Sequence, residues 1–116
     1  MHHYVLIFRP TRTLTADELK QRGVEIPAWV KRVGEMGITI DPKALAPSAV
    51  RLSQPNGSLV TEQGPADPTL TNLVFFDAAS QEQALEVARL HPGLHFGVSV
   101  EVREWTSPAA VPPIQK

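Results

Sequence analysis

A chain of 116 residues has room for one domain and one core, and at this size folding buries roughly 65% of the surface exposed by the unfolded chain. Eleven basic and twelve acidic side chains leave it almost neutral, with neither sign gathered into a run, which argues against a nucleic-acid or anionic-membrane partner. The absence of cysteine excludes disulfides, thiolate metal sites and Cys nucleophiles, and it fits a reducing, cytoplasmic location.

Tyr4 to Phe8 is a short, uniformly apolar run rich in strand formers, which reads as a strand buried on both faces and therefore central in a sheet. With no apolar stretch near ~18 residues, neither a membrane span nor a signal peptide is expected. Thr15-Ala-Asp-Glu18 is a capping box, so a helix is predicted from Ala16. Gly23 and Pro27 are expected to break it, with a second piece running to about Met36. Ile26, Trp29, Val30, Val33 and Met36 then share one face. Gly37 supplies the stop.

Order is weaker from Asp41 to Thr69. Val50–Leu52 and Leu59–Thr61 read as short strands joined by Pro55-Asn56-Gly57, followed by a loop at Gly64–Pro68. Leu70–Phe76 is a second apolar strand. Ser80-Gln-Glu-Gln83 is another capping box; it opens a helix with Ala84, Leu85, Ala88 and Val87 as inward candidates, closed by His91-Pro92-Gly93. Phe96 to Glu104 alternates: Phe96, Val98, Val100 and Val102 take one face. His95, Gly97, Ser99, Glu101, Arg103 and Trp105 take the other.

The order strand, helix, hairpin, strand, helix, strand predicts an α+β domain over residues 1–106, with an antiparallel sheet and both helices on one face. A Pro-rich, disordered tail is expected over 107–116. A half-solvated antiparallel sheet should alternate, yet its two central strands are apolar on both faces. A second copy of the chain is the simplest cover, so a homodimer is expected.

Several side chains invite chemistry. His95, on one face with Glu101 and Arg103, reads as an acid/base residue beside an arginine that could hold a carboxylate. Equally, His95 caps a strand while Glu101 and Arg103 pair across the interface. His91 is either a second imidazole of the site or a residue favoured by a helix C-terminus. Arg9 reads as an anion anchor or a solvated strand end. Asn72 bonds a ligand or a neighbour, since leaving it buried and unpaired would cost roughly 1–3 kcal/mol. Trp29 sits at core spacing, while Trp105 on the open face suits an interface or pocket. Adjacent His2 and His3 with His91 make a poor metal site, so no metal and no cofactor are expected. No phosphate loop or nucleophile elbow is present in the sequence.

The stretches YVLIFRP (4–10), LTADELKQRGVEIPAWVKRVGEMGI (14–38), ALAPSAVRL (44–52), LTNLVFFDAAS (70–80) and ALEVARLHPGLHFGVSVEVREW (84–105) together resemble the YCII-related proteins, including their DGPF branch. That resemblance implies a ferredoxin-like, dimeric α/β-barrel fold. It further implies a cleft for a small carboxylated or lactone-like molecule, or a muconolactone-type lyase or isomerase. The sequence departs from the family at two informative places. The branch's Asp-Gly-Pro-Phe turn is here Glu62-Gln63-Gly64-Pro65-Ala66, and the helix histidine of the family's His/Asp dyad falls near Ile26. The expected function is therefore small-molecule binding without that dyad, with a His95-dependent enzyme or a protein-interaction module as alternatives.

Overall fold

The computed structural model describes residues 1–107, so the tail expected beyond Ser107 lies outside the described residues. Six strands and two helices follow one another: β1 (His2–Pro10), α1 (Ala16–Glu35), β2 (Ile40–Ala44), β3 (Ser48–Ser53), β4 (Val60–Pro65), β5 (Asn72–Ala78), α2 (Gln81–Arg89) and β6 (Val98–Trp105). A 3-10 helix, Pro92–Phe96, joins α2 to β6. Four strands form one sheet in the order β2-β5-β1-β6 with every neighbour antiparallel, whereas β3 and β4 pair only with each other. An antiparallel sheet with two helices makes this an α+β chain, consistent with a ferredoxin-like arrangement into which the β3–β4 ribbon is inserted.

The period of two assigns each strand residue to a face. Opposed pairs such as Leu6 with Val74 and with Val102 place Tyr4, Leu6, Phe8, Val74, Phe76 and the β6 valines on one side. There they form a core with Trp29 and Val33 of α1 and Ala84, Val87 and Ala88 of α2, so both helices cover the same face. Val5, Ile7, Leu73 and Phe75 point to the other side and are only half-buried. The apolar runs that read as central strands do hold the two central places. The alternating strand, β6, is an edge, with Glu101 and Arg103 on the open face as the alternation required.

Two helix caps illustrate how local sequence sets the ends. At α1 the capping box closes in both directions: Glu18 N–H donates to Thr15 Oγ1 (3.2 Å) and Thr15 N–H donates to Glu18 Oε1 (3.0 Å). At α2 the Gln83 N–H donates to Ser80 Oγ, but the return bond comes from Ala79 N–H instead. Gly97, in the left-handed region at φ 74°, turns the chain from the 3-10 helix into β6, and a Cβ there would lie 2.8 Å from Arg12 Nε.

The structure corrects four local expectations. Pro27 lies inside a continuous α1 rather than in a break. Its ring and Gly23 are exposed, so the carbonyl left without an N–H partner faces water, while Trp29 and Val33 hold the helix down. Residues 40–44 form a strand where none was read, because Ile-Asp-Pro-Lys-Ala alternates poorly. Being an edge strand, it tolerates Pro42. Gly64 and Pro65 belong to β4 and not to a loop. Phe96 and His95 belong to the 3-10 helix and not to the last strand.

Candidate functional site

α1 runs across the sheet beside β2 and leaves between them a cleft of about 460 Å³. Phe8 and Val74 from the central strands, Ile40 and Pro42 from the edge, and Ile26, Trp29 and Val30 from α1 give it apolar walls. Its polar side chains are Arg22, Thr71, Asn72 and His91, while Lys43 of the edge strand borders it with its side chain alternating to the open face beside Asp41; among the described residues no Asp or Glu lines it. Arg22 reaches the cleft because it lies four residues before Ile26 and seven before Trp29, on the same stripe of α1. Among the described residues it has no salt-bridge or hydrogen-bond partner, whereas Lys43 is paired with Asp41 at 3.1 Å. Asn72 is exposed at the mouth, and its Nδ2 donates to Thr71 Oγ1 (3.0 Å).

His91 is the most constrained of these groups. Its ring packs 4.5 Å from Phe8 and 4.6 Å from Trp29, centre to centre. The Gly93 N–H donates to His91 Nδ1 at 2.9 Å, which makes His91 the N-cap of the 3-10 helix. Burial, with a smaller contribution from the nearby Arg22 charge, pushes its pKa down to about 4, so the ring is neutral at ordinary pH. Trp29 is held in turn by donation from Nε1–H to the Val87 carbonyl (3.0 Å), a bond that ties α1 to α2 behind the cleft.

The residues singled out in the sequence therefore divide among three places. His91 and Asn72 line the cleft. Arg9, Glu101, Arg103 and Trp105 are on the opposite, open face of the sheet. There Arg9 and Arg103 each lie 3.9 Å from Glu101, and Trp105 stacks on His3 at 4.6 Å. His95 lies at neither place: exposed on the 3-10 helix, its Nδ1 is 3.4 Å from Glu25 Oε1 of α1. The grouping of His95 with Glu101 and Arg103 is thus corrected, because β6 begins only at Val98, after the turn at Gly97, and His95 precedes it in the 3-10 helix. His2 and His3 pair with Glu104 and Asp77 at the end of β1 opposite Phe8, so they do not meet His91.

Arg22 and Lys43 were missed, although Arg22 was legible from its spacing to Ile26 and Trp29. Lys43 depended on recognising β2. Ile26, on the same stripe of α1 as Arg22 and Trp29, lines the cleft and adds an apolar side chain to its wall. The arrangement combines apolar walls, an unpaired guanidinium and a neutral imidazole, which suits binding of an anion with an apolar body. With no carboxylate in the wall, and with the His91 lone pair occupied, it offers no ready general base. No family model matches the chain, and no curated protein matches it. Among the described residues, no helix is long and apolar enough to cross a membrane.

Proposed function

We propose that this chain is a YCII-related, cytoplasmic homodimer that binds a small carboxylated or lactone-like molecule in the cleft between α1 and the sheet, without the family's His/Asp dyad. The observation that carries this reading is Arg22: a guanidinium with no partner among the described residues, beside apolar walls to which those residues contribute no acid. A desolvated guanidinium binds carboxylate by two parallel hydrogen bonds, and such charge-assisted bonds contribute about 1.5–3 kcal/mol. Ile26, Trp29 and Val30 would receive the apolar body. The half-buried stripe of Val5, Ile7, Leu73 and Phe75 supports pairing of two sheets, as in a dimeric α/β barrel.

Native mass spectrometry of freshly purified protein, followed by calorimetric titration with a benzoate probe, tests the reading. A dimer that binds the probe, with binding weakened about 10- to 100-fold in Arg22→Gln, is expected. Equal affinity in Arg22→Gln would refute the carboxylate site. The enzyme alternative loses its proposed arrangement, because His95 faces Glu25 and not Glu101 or Arg103.

A further inference from the structure

His91 is a histidine whose tautomer is fixed by its surroundings. The Gly93 N–H donates to Nδ1, so Nδ1 carries a lone pair and the neutral ring must carry its proton on Nε2. Phe8 and Trp29 hold the ring from two sides. Gly93 makes the contact possible, since a Cβ there would lie 2.9 Å from Nδ1 and 3.0 Å from Cε1. Nε2 has no hydrogen-bond partner among the described residues, yet it is not an occluded, unsatisfied atom. The ring lines the cleft.

We infer that the ligand carries two acceptors, a carboxylate for Arg22 and an uncharged carbonyl oxygen (ketone, lactone or ester) for the Nε2–H of His91. The inference rests on the reading of the cleft as a carboxylate site. An oxo-acid or lactone-acid fulfils both ends, whereas a purely hydrocarbon acid leaves the imidazole N–H unpaired once the ligand covers it. His91 acts here as a donor that fixes orientation, not as a base, because its one lone pair is spent on Gly93. Gly93 is a positioning residue that acts through the ring.

A matched pair of probes tests this by calorimetry: 4-acetylbenzoate, which offers the carbonyl, and 4-isopropylbenzoate, which has the same number of heavy atoms and similar size without it. The wild-type chain should bind the first about 10-fold more tightly. His91→Phe keeps a ring between Phe8 and Trp29 and should abolish the preference. Gly93→Ala should reduce the preference too, while Arg22→Gln should weaken both probes equally. If both probes bind and lose affinity in Arg22→Gln, but the wild type shows no preference or His91→Phe retains it, the carbonyl assignment fails and the carboxylate site stands. If neither probe binds, the carboxylate reading fails and takes this inference with it. Nitrogen-15 spectra of the wild-type ring give an answer independent of any variant: an Nε2–H tautomer is expected near neutral pH, and an Nδ1–H tautomer would overturn the inference.

Discussion

Packing of the His91 ring between Phe8 and Trp29 has a consequence for stability that runs in one direction with pH. The folded pKa, about 4, lies below the ordinary 6.5, so the unfolded chain binds the proton more readily in the interval between them. Stability from this group is therefore complete above 6.5 and is lost as the pH falls toward 4. The full shift is worth about 3 kcal/mol, which solvent reaching the ring reduces to about 2 kcal/mol. Between about pH 7 and about pH 5 the wild type should lose about 1 kcal/mol more than His91→Gln in urea denaturation. Parallel pH profiles would show that the ring is not buried neutral. Glu18, held down to about 2 mainly by the Arg12 guanidinium and then by the Thr15 backbone, contributes in the same direction only at lower pH, below its ordinary 4.5. At this scale the site was partly legible. The apolar companions of Trp29 followed from helical spacing, and His91 stood out beside Pro92. What spacing could not show was the bond from Gly93, which turns His91 from a helix-end residue into a donor with a fixed tautomer.

Among the elements, α1 and the β3–β4 ribbon carry the most instructive departures. Pro27 removes one hydrogen bond from the interior of a 20-residue helix, yet the capping box, Trp29 and Val33 keep the helix continuous. Replacing the exposed Pro27 by Ala restores that donor and should raise stability by about 1 kcal/mol or more, measured by thermal and urea unfolding. A decrease would mean that the proline kink is itself required by the packing of α1. The sequence carried the strand ends poorly where polar residues alternate without an apolar face. Ile40–Ala44 is exposed beyond its first residue, so no periodicity betrays it, and only its pairing with β5 makes it a strand. The ribbon was legible from Pro55-Asn56-Gly57, with Gly57 in the left-handed region at φ 80°. It contributes nothing to the main core: Val50, Leu52 and Leu59 remain exposed, and its base is closed by donation from Ala66 N–H to the Pro47 carbonyl (2.9 Å). Excising residues 48–65 and joining Pro47 to Ala66 through a short Gly-Asn turn should leave the four-stranded sheet folded, with a change below about 1 kcal/mol. Collapse of the near-native circular dichroism would show that the ribbon supports the sheet.

For the whole molecule, the unbalanced construction of the sheet is the governing fact. One face is covered by α1 and α2, and the other presents Val5, Ile7, Leu73 and Phe75 bordered by Arg9, Glu101, Arg103, Asp41 and Lys43. That pattern of apolar centre and charged rim is the anatomy of an interface, and about 800 Å² per partner is the usual size of a stable one. The proposed homodimer makes a sharp demand of this face. Phe75→Asp and Ile7→Asp place a carboxylate where the second copy would sit, but neither side chain belongs to the core beneath the helices. Each variant should therefore keep its helical and strand signatures while the dimer weakens at least about 100-fold, because a charge buried against apolar surface is left unpaired. Native mass spectrometry at micromolar concentration should then show monomer for both variants and dimer for the wild type. Glu101→Gln, at the rim, should shift the equilibrium by less than about 10-fold. A wild-type chain that is monomeric at that concentration would refute the paired sheets. The cleft proposal would survive that result, since every residue lining it comes from a single copy of the chain and none lies on the central stripe of the open face except Leu73.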